Sequence, residues 1–377
     1  MQLKVKTLAM CLSLALGTTV LTACSSVNTT DASNSVAAIS LETQGSFAIG
    51  GSYITHEGTF SKDNFLDPAG QKAYGDHAYV FYQIPTQAHE LPIVFQHGGA
   101  QTKRTWESTP DGRDGFQNMF LKDHFAVYLV DHPRMGEAGL STVPASTANP
   151  WARSPMFYSE TFFDLCRLGD ENGLYAGSQF PAGEANIEAF QRSWNQYSGE
   201  LDDNLNAQAL GKLLTEKTGP AILMTHSMGG TIGWRTPWFT SNVKAIVAIE
   251  PGGTPFVFPE GYAPQDITTI FKPLVATAFE VPMEKFKPLT QIPILLVYGD
   301  YIPSDQVADP GQDKWRSELE MARAFVKTVN DLGGNAQLLH LPELGIHGNT
   351  HFLMAEKNNQ EIFSLIRQWI SQQGLDQ

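Results

Sequence analysis

The chain has 377 residues, 42% hydrophobic and 17% charged, with 25 Lys and Arg against 39 Asp and Glu for a formal charge of −14. Such hydrophobicity excludes a disordered chain. The acidic balance argues against the basic surface that phosphate contacts require, so no nucleic-acid partner is expected. Three Cys are too few to staple a scaffold of this length.

Residues 1–23 read as an export signal. Lys4 and Lys6 form a positive start, and Leu8 to Leu21 form an uncharged apolar stretch, short for a span of about 20 residues and interrupted by Ser13, Thr18 and Thr19. The stretch ends in Leu21-Thr22-Ala23-Cys24, the pattern of a bacterial lipoprotein signal, so Cys24 is expected to become the lipid-modified N-terminus. Acyl chains there would anchor the protein to a membrane. Ser25 rather than Asp after the Cys favours the outer membrane under the sorting rule of Gram-negative lipoproteins. Residues 24–44 are polar and read as a tether, with residues 45–377 as one folded domain. Cys11 falls in the removed segment, which leaves Cys166 as a lone thiol with no activated-thiol motif around it.

Within that domain, Ser46 to Ile54 and His77 to Ile84 read as an antiparallel pair. Near-continuous apolar runs follow at Pro92–Gln96, Ala126–Val130, Ala221–Thr225, Val243–Ile249, Ile294–Tyr298 and Ala336–Leu341, as buried parallel strands require. Their alternation with helical patterns predicts a doubly wound α/β sheet with its site at the carboxyl ends of the strands. The last helix is capped at Asn358-Asn359 and carries Ile362, Leu365, Ile366, Trp369 and Ile370 as one apolar stripe. Two connections, residues 132–219 and 251–293, are too long for simple loops and are expected to cover the site as a lid or cap. Their aromatics are expected to pack the insertions themselves and also suggest an apolar or aromatic pocket, two readings that do not exclude each other.

Four strand ends carry the chemistry. In AILMTHSMGGTIGW, residues 221–234, a strand runs into His226-Ser227-Met228-Gly229-Gly230 and then a helix, the context of a nucleophile elbow with Thr225 in the place of its usual first Gly. His97-Gly98-Gly99 follows an earlier strand, so Gly99 or Ala100 would offer a backbone N–H beside that of Met228 to form an oxyanion hole, with His97 orienting the loop. The base is expected before the final helix, where His351 is favoured over His347. Two acids compete. Asp300, with Asp305 shortly after it, lies beyond one strand, and Glu250 abruptly ends the strand before it; spacing leaves the choice between the two strand ends even. Asp131-His132-Pro133-Arg134 reads as a structural turn, and no metal-ligand spacing or cofactor motif is seen.

HGGAQTKRTWESTPDGRDGFQNMFLKDHFAVYLVDHPRMGEAG, AIVAIEPGG, VYGDYIPSD and GIHGNTHFLMAEKNN together resemble a group of bacterial α/β-hydrolase esterases. The resemblance spans Gln96 to Trp369 and implies the α/β-hydrolase fold with cap insertions. It also implies a triad of Ser227, Glu250 and His351, the acid being a glutamate after the sixth strand, with oxyanion donors near Gly99 and Met228. Asp300 would then be structural. Some members carry cysteines where this chain has Gly99 and Ala100. The implied activity is hydrolysis of a small-molecule ester through an acyl-enzyme. Lipase, lactonase or peptidase activity on the same triad, or a non-catalytic lipoprotein using the fold to bind, are the alternatives.

Overall fold

The computed structural model describes residues 38–143 and 158–377. The export pattern, Cys24 and most of the tether lie outside the described residues, as does part of the first insertion. Among the described residues the central sheet has eight strands. These are β1 (Leu41–Thr55), β2 (Lys72–Pro85), β3 (Ile93–Gln96), β4 (Val127–Asp131), β5 (Ala221–His226), β6 (Val243–Ile249), β7 (Pro293–Tyr298) and β8 (Asn335–His340). Their spatial order is β1-β2-β4-β3-β5-β6-β7-β8. β1 and β2 form the expected antiparallel pair, with Ser46 opposite Phe81. β2 also runs antiparallel to β4, and the remaining pairs are parallel. β1 starts within the stretch read as tether, because pairing with β2 already begins at Leu41 opposite Pro85 and, past one irregularity, runs on from Thr43 opposite Ile84.

Apart from the edge strand β8, where Asn335 and Gln337 are exposed, the parallel strands are buried on both faces, which is why they read as near-continuous apolar runs. Val94, Leu223, Ile246, Ile294 and Leu296 point into one core. Their neighbours Ile93, Phe95, Ile222, Met224, Val247 and Leu295 point into the other. Helices α1 (Phe116–Lys122), α2 (Ser159–Leu165), α3 (Glu184–Gln191), α4 (Asp203–Leu213), α5 (Gly229–Arg235), α6 (Pro310–Asp331) and α7 (Asn359–Gln372) complete the layers. On α7, Ile362, Ile366, Trp369 and Ile370 are buried as the stripe predicts, with Leu365 partly so. The aromatics of the second insertion do not line the cavity that holds Ser227. Phe256 and Phe258 pack on Phe325 of α6, with ring centroids 5.6 and 6.1 Å away, while Tyr262 and Phe271 are exposed.

The loop before α7 is braced from within. Asn358 sits at the cap position but makes no capping hydrogen bond. Its amide instead exchanges hydrogen bonds with Asn349, at 2.7 and 3.1 Å. Asn349 Nδ2 also donates to Glu356 Oε2 at 2.6 Å, and the Thr350 N–H donates to Glu356 Oε1 at 2.5 Å. Burial pushes the Glu356 carboxyl up from 4.5 to about 7, against the pull of those hydrogen bonds. A carboxyl raised in the folded state stabilises fully below its unfolded value and loses that contribution as pH rises through the folded one. Wild-type melting temperature should therefore fall relative to Glu356→Gln between pH 5 and 8, by an amount on the order of 3 kcal/mol in stability; parallel pH profiles of the two proteins would contradict it.

Candidate active site

The β5–α5 junction is a sharp elbow. Ser227 adopts φ 52°, a left-handed conformation costly for a non-glycine residue. The helix passes so near the β3 loop that only glycine fits. A Cβ on Gly229 would lie 2.7 Å from the His97 carbonyl oxygen, and one on Gly230 2.8 Å from Pro251 Cβ. Thr225 is accommodated because it faces Gly233 of α5, whose added Cβ would be 3.0 Å from the Thr225 methyl. A Cβ on Gly99 would meet the Met228 side chain at Sδ, which would have to move aside to make room. Gly99, Ser227 and Met228 line one cavity of about 410 Å³ together with His351. The amides of Gly99 and Met228 have no acceptor among the described residues. Ala100, the alternative donor, is buried away from that cavity.

His97 is buried, with Nδ1 2.8 Å from the Gly98 carbonyl and its ring stacked on His132 at 4.3 Å, as a loop-orienting residue should be. The Asp131–Arg134 turn is structural. Asp131 accepts from the backbone of Lys103 and Glu137, and Arg134 pairs with Asp76 at 2.8 Å.

His351 is held at three points. Its backbone N–H donates to the Cys166 carbonyl at 3.2 Å, and its carbonyl accepts from His226 Nε2 at 2.9 Å. Its Nδ1 lies 3.2 Å from Glu250 Oε2. An ionised carboxylate only accepts, so Nδ1 carries the hydrogen and Nε2 is left as a free base. Burial, with the Arg167 guanidinium and the Lys314 ammonium nearby, holds His351 well below the ordinary imidazole range.

Of the two acids, the geometry brings Glu250 to His351 and Asp300 to His347. Asp300 Oδ2 accepts from the Gly348 N–H at 2.8 Å and faces His347 Nδ1 at 3.2 Å on an exposed edge. It shapes the loop that carries His351, while Asp305 is exposed and bonded to Ser304. Glu250 is fully buried at the end of β6, with φ 47°.

Arg167 escaped the sequence reading. Fully buried just after α2, it donates from a terminal nitrogen to Glu250 Oε1 at 2.8 Å and from Nε to the Asp300 carbonyl at 3.0 Å. Its guanidinium lies 4.8 Å over the Trp315 ring, and that ring in turn lies 4.2 Å from His351. A pair 83 residues apart leaves no local pattern that could have exposed it. Cys166 also lines the cavity, its thiol pushed up to about 12 by burial and so protonated. The wall takes Phe162 and Leu165 from the first insertion and Pro273, Leu274, Val275 and Thr277 from the second.

Comparisons with known proteins agree with this architecture. Residues 93–374 match the alpha/beta hydrolase family. A fungal protein named "Probable secreted lipase phiG", from Fungal sp. (strain ATCC 74256), is 28% identical over 330 residues, covering 77% of this chain and 84% of its own. A bacterial esterase of known atomic-resolution structure superposes with a TM-score of 0.70 at 29% identity, over 89% of this chain and 97% of that one. With the family matched across most of its length, this chain belongs to the alpha/beta hydrolase family.

Proposed function

We propose that the protein is a serine carboxylic-ester hydrolase in which Ser227 is the nucleophile, His351 the base and Glu250 the acid. The observation that carries this is a strained Ser227 sharing one cavity with a His351 whose Nδ1 faces a buried Glu250. The esterase structure and the lipase relative favour ester substrates.

In this scheme His351 Nε2 takes the Ser227 proton as Oγ bonds to the ester carbonyl carbon. The carbonyl electron pair moves onto oxygen, where the Gly99 and Met228 N–H groups receive it. Collapse breaks the bond to the alcohol oxygen, which leaves with the proton from His351. Water, deprotonated by His351, then releases the acid from the acyl-enzyme. Glu250 holds the imidazole tautomer and offsets its charge.

An organophosphonate should label Ser227, and absence of labelling on folded protein would sink the proposal. Across a series of nitrophenyl esters, Glu250→Gln should lower kcat by about ten-thousand-fold and Ser227→Ala by more. Asp300→Asn should cost less than about tenfold, since the group acts on loop shape; a loss matching that of Glu250→Gln would transfer the acid role to Asp300. In the same series kcat/KM should fall from short to long acyl chains, because a cavity of about 410 Å³ holds a limited acyl group.

Because His351 is held below 6.5, the acid limb of kcat/KM should have its midpoint below pH 6.5, with activity lost as pH falls through it. Arg167→Met removes one of the cations that disfavour imidazolium, so its limb should move to higher pH. A limb unmoved in a folded variant would remove Arg167 from the electrostatics of the base.

Export and anchoring through Cys24 belong to the same proposal, both supported by the pattern at residues 1–24 and export alone also by the secreted relative. Among the described residues no helix is long and apolar enough to cross a membrane. Cys24→Ser should abolish palmitate incorporation and move the protein from the membrane fraction to the soluble one.

A further inference from the structure

The wall of the Ser227 cavity contains a buried ion pair that hydrolysis through the triad leaves unused. Lys314 and Glu318 sit one turn apart on α6, and both line the cavity. Pairs at this spacing usually lie on the solvent face of a helix. Here Lys314 is 5% exposed and Glu318 1%. Removing two charges from water is costly unless the remaining hydrogen-bonding capacity is met. It is not met evenly. Glu318 Oε1 accepts from both Lys314 Nζ, at 3.2 Å, and the Gly253 N–H, at 2.7 Å, while Oε2 has no partner among the described residues. Of the three ammonium hydrogens of Lys314, one meets Oε1 and another faces the Trp315 ring, whose centroid is 3.6 Å from Nζ. That ring is the one packed on His351, so the pair lies one ring away from the reacting centre.

We propose that Lys314 and Glu318 form a polar subsite for a hydroxyl group of the substrate, so that the preferred substrates are hydroxyl-bearing esters. The inference rests on the assignment of Ser227 as nucleophile. A hydroxyl both accepts and donates. It can take a hydrogen bond from the Lys314 ammonium and, after a small shift of the Glu318 side chain toward the cavity, give one to Oε2, which is unpartnered and shielded from solvent in the free protein. A carboxylate can only accept and is repelled by Glu318, whereas an ammonium can only donate and is repelled by Lys314. The pair is neutral overall, which favours an uncharged ligand with both capacities. Phe162, Leu165, Leu274, Val275 and Phe352 make much of the remaining lining apolar, and the other polar side chains there outside the triad, Gln101, His226 and Thr277, carry no charge pair, so the Lys314–Glu318 contact sets where along the substrate the hydroxyl must lie.

The test compares matched esters on the full chain after titrating Ser227 with an organophosphonate. One arm places the hydroxyl on the acid, comparing nitrophenyl butyrate with its β-hydroxy analogue. The other places it on the alcohol, comparing propyl butyrate with β-hydroxypropyl butyrate. In at least one arm kcat/KM should favour the hydroxylated ester by about tenfold or more, as sites built to hydrogen-bond a substrate group do. Lys314→Met removes the donor, and Glu318→Gln replaces an acceptor oxygen with an N–H donor. Each should bring that ratio close to one, and because the ratio is taken within one variant it is independent of how much protein folds. Wild-type ratios near one in both arms, or a stronger preference for a carboxylate-bearing ester, would overturn the subsite while leaving the labelled Ser227 intact. Failure of Ser227 to label would instead remove the hydrolase assignment beneath it. Should neither variant fold, the two wild-type ratios decide.

Discussion

A carboxyl group with no exposure to water, that of Glu250, sits at the end of β6, and the rest of the site is arranged around giving it hydrogen-bond partners. A buried polar group is costly unless its hydrogen-bonding capacity is met. Three donors meet it. Arg167 and the Gly299 N–H share Oε1, at 2.8 and 2.5 Å, and His351 faces Oε2 at 3.2 Å. These donors come from the first insertion, the β7 loop and the loop before α7. One buried charge thus gathers three chain segments whose strand ends would otherwise only be neighbours. Arg167 has two opposed effects, since it stabilises the carboxylate and also disfavours a second positive charge on His351.

Rigidity at this centre is distributed. Ala100, Arg167, Ser227, Glu250 and Tyr301 all have positive φ without being glycine. Such residues cost on the order of 1–3 kcal/mol each and persist where packing over-determines them. His351 shows how that is done, with its N–H, its carbonyl and its Nδ1 each tied to a different element. Donors and acceptors held in this way need little rearrangement when charge develops, which is the main source of electrostatic catalysis.

How much of this was legible in the sequence depended on whether the signal was local. Buried parallel strands read as continuous Val, Ile and Leu runs, so their limits came out within a residue or two. The elbow was readable because close approach of strand and helix demands small residues at adjacent positions, Gly229 and Gly230. The choice between Glu250 and Asp300 was not readable from spacing, since both end an apolar strand and what separates them is which imidazole each one meets. Arg167, Lys314 and Glu318 were invisible for a related reason. An Arg in a long insertion and an i, i+4 pair on a helix look like ordinary surface charge until the fold buries them. The aromatics of residues 251–293 divide between two fates that composition cannot separate. Phe256 and Phe258 serve the core around Phe325, as ordinary packing of the insertion has it, and Tyr262 and Phe271 are exposed, while the cavity takes Pro273, Leu274, Val275 and Thr277.

The position of Arg167 also constrains how the cavity can open. The end of α2 contributes Phe162, Leu165 and Cys166 to the wall and is followed at once by the arginine that pairs with Glu250. Swinging that segment outward would pull a buried cation away from a buried anion and release the backbone of His351 from Cys166. The segment from Phe162 to Arg167 is therefore a fixed part of the wall. The lining from the second insertion, Pro273 to Thr277, bears no ion pair among the described residues and is tied by neutral hydrogen bonds, from the Ala276 N–H to Ser317 Oγ at 3.1 Å and from the Phe256 N–H to the Thr277 carbonyl at 2.9 Å. The two insertions thus hold one cavity by different means, a buried charge pair in one and uncharged hydrogen bonds in the other.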